Sequence, residues 1–365
     1  MTPLSKSAAA QADLRGLNLY RIAIVGAASL MGKEIAEILR DRNFPSVDIR
    51  LLDDDESLGQ LEALGDEMSF IQGVRADQFE RVDFSFFASD PSSTRAGWKT
   101  ARDLGNTIID LTGALESEPG AAVRSPWVER EMREREMIER GTVQPITPQL
   151  QPGPVVVAHP AATVLALLAL RAQKFARIER MIVNVFQPAS EYGQKGMDEL
   201  HEQTVSLLSF QELPKTVFDV QVAFNMVARY GKSSNHSLDA VSDRIRKHYH
   251  LLAPACVEPS LFTVQAPVFH GHAFSIYLET DKPVAIKGLS EALAGEHVVI
   301  DSSEETPNNV SIAGQGDIQI ALSADVNCKN GAWLWAAIDN LRVSALNAVE
   351  CAEIMTASRP KGQIQ

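Results

Sequence analysis

The first part of the chain alternates between short apolar runs and segments with apolar residues at helical spacing. The strand-like runs are LYRIAIV (19–25), DIRLLDDD (48–55), VDFSFFAS (82–89), NTIIDLTG (106–113) and VVVA (155–158). Amphipathic segments such as KEIAEILRDR and WKTARDL follow the first and third of them. Strands that alternate with helices predict a parallel β-sheet with helices on both faces.

The pattern changes after residue 160, where strand-like segments become longer and their connections less regular. Helical spacing is found at 162–175 and 198–209, and strand alternation at 179–190, 262–280, 297–300 and 311–326. This mixture predicts an α+β second domain. The last periodic segment, 331–355, predicts one long helix that packs back on the first domain.

Composition and charge narrow the class of protein. The 365 residues are 45% hydrophobic and 22% charged, which is typical of a globular chain long enough for two domains. The net charge of −13 argues against nucleic acid and anionic membrane as partners. No stretch has the apolar length of a membrane-spanning helix.

The ends of the chain and its cysteines indicate the cellular compartment. Residues 1–18 lack the apolar core of a signal peptide, and we expect them to form a disordered tail. Cys256, Cys328 and Cys351 lie far apart and form no CxxC pair, which argues against a disulfide framework or a metal site. The sequence therefore predicts a cytoplasmic protein without a metal.

The turn GAASLMG (26–32) lies between the first strand and the first helix, where a dinucleotide pyrophosphate could bind. Gly26 and Gly32 fit the outer glycines of such a loop, whereas Ser29 places a Cβ atom at the central position. A structural strand–helix turn and a working cofactor site are both open interpretations.

Acidic residues end the second strand, at Asp53, Asp54, Asp55 and Glu56. A carboxylate there can bind the ribose hydroxyls of NAD and repels the 2′-phosphate of NADP. If a dinucleotide binds, charge therefore favours NAD. The alternative is a solvated acidic loop.

The stretch VVVAHPAATVLALLAL (155–170) runs from a β-branched strand through a proline into a helix. A nucleophile at such a turn benefits from the positive end of the helix dipole. Here the turn offers His159, Ala161, Ala162 and Thr163. An unactivated threonine hydroxyl is a poor replacement for a thiolate.

Taken in order, these pieces resemble the aspartate-semialdehyde dehydrogenase family over residues 19 to about 356. The segment DNLRVSALNAVECAE (339–353) follows the family's C-terminal helix, and QPASEYGQKGMDELHEQT (187–204) follows its QAVSGAGxxGxxEL segment. PVFHGH (267–272) follows the strand that ends in the family's catalytic histidine. AHPAAT (158–163) falls on the nucleophile motif, usually ANPNCST.

The resemblance implies an α/β fold with a Rossmann-type parallel sheet domain, residues 19–158 and 331–356, and an α+β substrate and dimerisation domain, residues 159–330. It also implies a homodimer and a reaction. In the family, a cysteine thiolate attacks an aldehyde or acyl phosphate, and hydride transfer with NADP(H) gives a thioester. Two arginines bind the substrate carboxylate and the phosphate.

The family's functional residues transfer only in part. The orienting glutamine matches Gln187 and the acid–base histidine matches His272, but the nucleophilic cysteine falls on Ala162. The carboxylate-binding arginine falls on Gln265 and the phosphate-binding arginine on Glu116. The positions for the cofactor are Gly26, Ala28, Ser29, Leu30, Met31, Gly32, Asp53 and Ser89.

These replacements predict a paralogue that lacks the catalytic cysteine and the family's reaction. Ala162 has no atom that can attack, and Glu116 places negative charge where phosphate would bind. Its role would then be binding: to itself, to an active paralogue as a heterodimer, or to a small molecule in the old cleft. The alternative is an NAD(P)-dependent oxidoreductase that acts on an aldehyde or oxo group by direct hydride transfer, with His272 as the acid–base group.

Overall fold

The structure of the chain is a computed structural model that describes residues 19–54, 57–64, 67–140, 153–301 and 306–357. The tail expected at residues 1–18 lies outside these ranges. Within them, no helix is long and apolar enough to cross a lipid bilayer.

A parallel sheet forms the first domain. Its strands, with a separate hairpin of β3 and β4, are β1 (Tyr20–Val25), β2 (Ser46–Asp53), β3 (Leu61–Leu64), β4 (Glu67–Phe70), β5 (Gln72–Gly73), β6 (Phe84–Phe87), β7 (Thr107–Asp110), β8 (Ala122–Arg124) and β9 (Val155–Val157). In the described part of the chain the sheet order is β5-β2-β1-β6-β7-β9-β8, and every neighbouring pair is parallel. The parallel sheet that the alternating pattern predicts is therefore confirmed.

Helices cover both faces of this sheet because strand side chains alternate between the faces. Ile22 and Ile24 share a core with α1 (Leu30–Asp41), whereas Ala23 and Val25 share one with α2 (Pro91–Asp103). A further helix, α3 (Pro126–Arg140), precedes β9. The parallel arrangement places the carboxyl ends of the strands at one edge, where the turn 26–32 lies.

The second domain is built on a mixed sheet. Its elements are α4 (Pro160–Phe175), β10 (Ile178–Gln187), α5 (Gly193–Leu208), α6 (Leu238–Leu252), β11 (Ser260–Gln265), β12 (His272–Thr280), α7 (Ile286–Leu293), β13 (Val298–Ile300), β14 (Ile318–Ala324) and β15 (Gly331–Ile338). The strand order among the described residues is β11-β10-β12-β15-β14-β13, with parallel and antiparallel neighbours. The predicted α+β domain is confirmed.

The prediction of one long helix over 331–355 is wrong in its first third. Gly331–Ile338 is strand β15 of the second sheet, and the helix α8 (Asn340–Thr356) begins only after Asp339, whose carboxylate caps it. The sequence of β15 does not alternate between apolar and polar residues. Trp333 and Trp335 make its open face apolar, and the face towards the core is apolar too. Residues 331–338 therefore belong to the second domain, and the chain returns to the first domain only at α8.

Helix α8 packs on α1, as the sequence predicts for the C-terminal helix. Ala345, Ala348 and Val349 belong to the same buried core as Ile35 and Ile38 of α1. The first domain is thereby completed by a segment that follows the whole second domain.

Helix α4 is the most buried helix at the boundary between the two domains. Every residue from Pro160 to Ala172 is buried, so the helix offers no solvated face over that length. The alanines at its start allow this close packing because they add no side chain beyond Cβ.

Candidate functional site

The turn after β1 keeps the close backbone approaches of a dinucleotide-binding loop. Gly26 has φ +88°, and a Cβ atom there would lie 2.5 Å from the Cβ of Ser89. A Cβ at Gly32 would lie 2.1 Å from the carbonyl oxygen of Gly26. Both glycines are therefore required for the turn to pack against β6 and for α1 to pack against the turn.

Ser29 is the N-cap of α1 and not merely an obstacle at the central position. Its Oγ accepts a hydrogen bond from the Gly32 N–H at 3.0 Å and donates one to the Ala88 carbonyl at 2.9 Å. The first-turn N–H groups of Leu30 and Met31 have no acceptor within the helix, as at any helix start. This donor set fits a pyrophosphate in part, since one of the end donors is taken by Ser29.

The carboxylate of Asp53 is held by the turn itself. Oδ2 accepts the Ala28 N–H at 2.7 Å and Oδ1 accepts the Asp54 N–H at 2.9 Å, and only 7% of the residue is exposed. The ribose contact expected of Asp53 stays a prediction, because the carboxylate already accepts two backbone donors. Asp55 and Glu56 lie outside the described residues.

Ser89 lies where β6 gives way to α2, directly against Gly26. Its hydroxyl oxygen is buried and has no hydrogen-bond partner among the described residues. A buried hydroxyl normally has a partner, so this side of the turn can take a polar group. Of the cofactor positions expected from the sequence, those in the turn 26–32, Asp53 and Ser89 come together at this edge.

The entrance to α4 is capped by a histidine. His159 is the N-cap, and its Nδ1 accepts the N–H of Ala161 at 3.2 Å. Ala161 and Ala162 are fully buried, and the hydroxyl of Thr163 is buried without a hydrogen-bond partner in the described structure. No nucleophilic atom therefore stands at the position that the nucleophile motif predicts.

A carboxylate, Glu191, lies between two histidines at this entrance. Its Oε1 lies 3.0 Å from Nε2 of His159, and its Oε2 lies 3.7 Å from Nε2 of His272. Because Nδ1 of His159 accepts a backbone N–H, that nitrogen carries no proton, and the proton on Nε2 points at Glu191. Burial raises the pKa of Glu191, but His159 and His272 outweigh it and lower the pKa to about 2.

His272 is fully buried at the start of β12. Burial lowers its pKa to about 4, although the charge of Glu191 acts in the opposite direction. Neither ring nitrogen has a hydrogen-bond partner among the described residues. The imidazole is therefore neutral near pH 7 and retains its capacity to accept a proton.

Gln187 and Gln265 face each other on neighbouring strands and join a tyrosine. The hydroxyl of Tyr230 donates to Oε1 of Gln265 at 2.7 Å, and Nε2 of Gln187 lies 3.4 Å from that hydroxyl. Nε2 of Gln265 donates to the carbonyls of Gln187 and Ala266. Both glutamines are fully buried, so Gln265 is a satisfied internal group and presents no clamp for a carboxylate.

Glu116 also has partners within the protein. Its carboxylate meets Nε of Arg244 at 2.7 Å, Nζ of Lys247 at 2.8 Å and Nε2 of His248 at 3.0 Å. Burial raises the pKa of Glu116, but the close contacts with His248 and Lys247 and the charge of Arg244 outweigh it and lower the pKa far below its usual range. The negative charge predicted at this position is real, and it is neutralised from helix α6.

Sequence reasoning missed the residues that fill the site, namely Glu191, Tyr230, Arg244, Lys247 and His248. Of these, only Glu191 could have been recognised from the sequence, because it stands in QPASEYG where the resembled segment has glycine. The others come from a connection and a helix with no motif. The described residues hold no group of three histidine, cysteine, aspartate or glutamate side chains placed to bind a metal ion.

Two sequence profiles match this arrangement of domains. The NAD binding domain of semialdehyde dehydrogenase matches residues 21–139, and the semialdehyde dehydrogenase dimerisation domain matches residues 167–343.

Individual relatives are similar over nearly the full chain. The aspartate-semialdehyde dehydrogenase of Rickettsia conorii is 26% identical, with 92% of this chain and 97% of the relative covered. The USG-1 protein homolog of Azotobacter vinelandii is 30% identical over the same shares. A solved structure of a probable aspartate-semialdehyde dehydrogenase from Pseudomonas aeruginosa superposes with a TM-score of 0.81 at 26% identity, covering 93% of this chain and 98% of that one.

Proposed function

Because this chain belongs to the semialdehyde dehydrogenase family, we propose that it keeps the family's fold and dimer while lacking the phosphate-dependent semialdehyde reaction. One observation carries the proposal. The residue that the resemblance places on the nucleophile position is Ala162, which lies at the start of α4, is fully buried and has no reactive atom.

The electrostatics around Ala162 support the same proposal. The Glu191 carboxylate lies at the start of α4, and the side-chain oxygen of the buried Gln265 accepts a hydrogen bond from Tyr230. A substrate that carries its own carboxylate and reacts with phosphate would meet a resident negative charge, with a glutamine at 265 in place of an arginine clamp. The proposed loss of the reaction therefore rests on the substrate-binding positions as well as on the missing thiol.

The experiment is a turnover assay with aspartate semialdehyde, NADP and phosphate, followed by NADPH absorbance. The Rickettsia conorii relative serves as the positive control, and NAD replaces NADP in a parallel series. We expect no rate above the enzyme-free blank. A rate that depends on this protein and on phosphate would refute the proposal.

Dimerisation is the proposed retained activity, and the open face of the second sheet supports it. Helices α4, α6 and α7 pack on one face, whereas no helix of the described part of the chain packs on the other face. Its apolar and aromatic side chains are Ile182, Phe186, Phe262, Tyr277, Trp333 and Trp335. A contiguous apolar face of this kind is typical of a permanent interface. A heterodimer with an active paralogue would use the same surface.

For the cofactor, we propose that the turn at 26–32 still accepts a dinucleotide, with NAD favoured over NADP. The first-turn N–H groups of Leu30 and Met31 and the unpartnered Ser89 hydroxyl support binding. Asp53 and Asp54 place negative charge at the end of β2, which disfavours a 2′-phosphate.

A second candidate function rests on His272. Its two unpartnered ring nitrogens would let it act as an acid–base group for an oxidoreductase that transfers hydride directly to an aldehyde or oxo group. Screening NADH oxidation against short aldehydes and oxo acids tests this. Any activity should be lost in His272→Asn, and activity that survives this substitution would exclude the role of His272.

A further inference from the structure

An irregular segment, residues 307–314, connects the open face of the second sheet with the loop that precedes His272. We call this segment the strap, and it lies between β13 and β14 in the chain. At the open face, Nε1 of Trp335 donates a hydrogen bond to the Pro307 carbonyl at 2.7 Å. Further along the strap, the side chain of Ile312 is fully buried. The strap is therefore attached both to the open face and to the interior of the protein.

Asn309 of the strap holds the loop before His272. Its Nδ2 donates to the carbonyls of His270 and Gly271, at 3.1 and 2.6 Å. Gly271 has φ +83°, and a Cβ atom there would lie 2.5 Å from Cδ1 of Ile312. The strap thus packs directly on the backbone that leads into the imidazole.

The same loop, residues 268–271, is also bonded to the turn that carries Glu191. It accepts the N–H groups of Ala189 and Ser190, both at 2.9 Å. Glu191 follows directly in the chain, and its Oε2 lies 3.7 Å from Nε2 of His272. A displacement of the loop would therefore change the distance between the Glu191 carboxylate and the His272 ring.

The start of α8 holds the strap and the loop together. The N–H of Gly314, at the end of the strap, donates to Oδ2 of Asp339 at 2.8 Å. The N–H of Gly271 donates to Oδ1 of Asn340 at 3.0 Å. The N–H of Gly271 is thus held by α8, whereas its carbonyl is held by the strap through Asn309.

The strap also has an exposed apolar side chain next to the open face. Val310 is 86% exposed in the protomer. Trp335, which donates to the strap, packs against Phe186 of the open face with ring centroids 5.8 Å apart. A second copy that covers Trp335 would therefore also contact the strap.

We propose that the strap transmits dimerisation to the site at His272: a second copy docked on the open face fixes the strap, and Asn309, as a positioning residue, thereby fixes the geometry of Glu191 and His272. The inference rests on the proposed dimer and requires no particular reaction. Two sites are coupled when binding at one of them orders a segment that the other also contacts.

The test measures amide hydrogen exchange in residues 268–272 by peptide mass spectrometry. The proteins are wild type, Trp333→Glu as the monomer, Asn309→Ala, and the double variant. We expect exchange at least about tenfold faster than in the wild-type dimer in both single variants, because each releases the loop. In the Asn309→Ala background, Trp333→Glu should add no further increase, since Asn309 carries the coupling.

The matched control is Asn327→Ala, since Asn327 is an exposed asparagine in the turn between β14 and β15. It should leave exchange in residues 268–272 unchanged. Strand β6 of the first domain supplies an internal reference, and its exchange should be the same in all five proteins.

The titration of His272 supplies a readout that a merely structural asparagine would not change. Glu191 and His159 face the ring, and burial lowers its pKa to about 4 from the ordinary 6.5. Release of the loop admits water, so the pKa should rise towards 6.5 in Asn309→Ala. Nuclear magnetic resonance of isotope-labelled histidine measures this, with the His272 signal assigned by its loss in His272→Asn.

Equal exchange in wild type and Asn309→Ala, equal exchange in the dimer and the Trp333→Glu monomer, or an unchanged pKa of His272 in Asn309→Ala would overturn the proposal. A wild type that sediments as a monomer would overturn the proposed dimer together with the coupling, whereas a dimer with an uncoupled loop would overturn the coupling alone. If Trp333→Glu does not fold, dilution of wild type below its dimer dissociation constant gives the same comparison.

Discussion

The Nε2–H of His159 points at Oε1 of Glu191 across 3.0 Å, at the start of the helix where the family's nucleophile motif falls. The pair places an internal carboxylate at the positive end of that helix, where a thiolate or an incoming anion would otherwise be stabilised. A carboxylate of the protein itself, Glu191, therefore already lies at the start of α4, where an external anion would bind.

Restoring a thiol at the motif should not restore the reaction. Ala162→Cys adds a sulfur atom to a fully buried position, so we expect the free energy of unfolding to fall by about 1–3 kcal/mol. We also expect no NADPH formation from aspartate semialdehyde, because the variant keeps Glu191, Gln265 and Glu116. Chemical denaturation and the turnover assay measure the two effects.

Alkylation followed by peptide mass spectrometry supplies the control for Ala162→Cys. The half-buried native Cys328 should react in the folded protein, whereas the introduced thiol should react only after unfolding. Turnover that appears in Ala162→Cys would show that the substrate positions survive and would contradict the assignments of Gln265 and Glu116.

His272 should make the protein less stable in mild acid. The folded pKa of about 4 lies below the ordinary value of 6.5, so between these values the unfolded chain binds a proton that the folded protein does not. Stability is full above pH 6.5 and falls as the pH drops towards 4, by about 3 kcal/mol at that end. Urea unfolding of His272→Asn should show a correspondingly flatter dependence over this window.

The matched control is His201→Asn, since His201 is exposed on α5. It should leave the slope of stability against pH unchanged. A slope equally steep in wild type and His272→Asn would mean that His272 is not neutral in the folded protein.

Arg342 should stabilise the docking of α8. Its guanidinium contacts Glu34, Glu37 and Asp41 of α1 at 2.9–3.0 Å and is 16% exposed. We expect Arg342→Ala to lower the free energy of unfolding by about 1–2 kcal/mol. Arg40→Ala removes a 54% exposed arginine that pairs with Asp41 and should change stability by less than about 0.5 kcal/mol. Equal losses would show that the three-carboxylate network adds nothing.

Trp333 should be central to the dimer. It is 43% exposed in the protomer and lies on the open sheet face beside Tyr277. Trp333→Glu should raise the dimer dissociation constant by at least about 30-fold, which corresponds to a loss of about 2 kcal/mol at a central aromatic contact. Sedimentation velocity over a range of concentrations measures this.

Leu104→Glu is the control for the dimer, because Leu104 is also 43% exposed but lies at the end of α2 in the first domain. It should leave the association unchanged. A wild-type chain that is monomeric at micromolar concentration, or a Trp333→Glu variant that dimerises normally, would place the interface elsewhere.

Dinucleotide preference should follow the charge at the end of β2. We expect calorimetry to give a lower dissociation constant for NADH than for NADPH, and Asp54→Ser to tighten NADPH binding by about threefold to tenfold. Asp48→Ser, at the other end of the same strand, should have little effect. Tighter binding of NADPH than of NADH by wild type would contradict the charge argument.

The sequence alone determined the class of fold and the order of its parts. Buried parallel strands are short continuous apolar runs, and helices between them are amphipathic, so residues 19–158 carried their architecture in local periodicity. The same periodicity failed at 331–338, where both faces of strand β15 are apolar. Whether such a segment forms a strand or a helix depends on partners that are distant in sequence.

The sequence also predicts that Ala162 stands where the resembled motif has cysteine, because a missing atom needs no geometry to be recognised. Only the tertiary structure decided which side chains surround that position. Glu191 meets His159 and His272, and Glu116 meets His248, through contacts 32 to 132 positions apart in the chain. Hydrogen bonds and ion pairs of that kind depend on where folded backbones cross, and no local pattern of hydrophobic and polar residues encodes them.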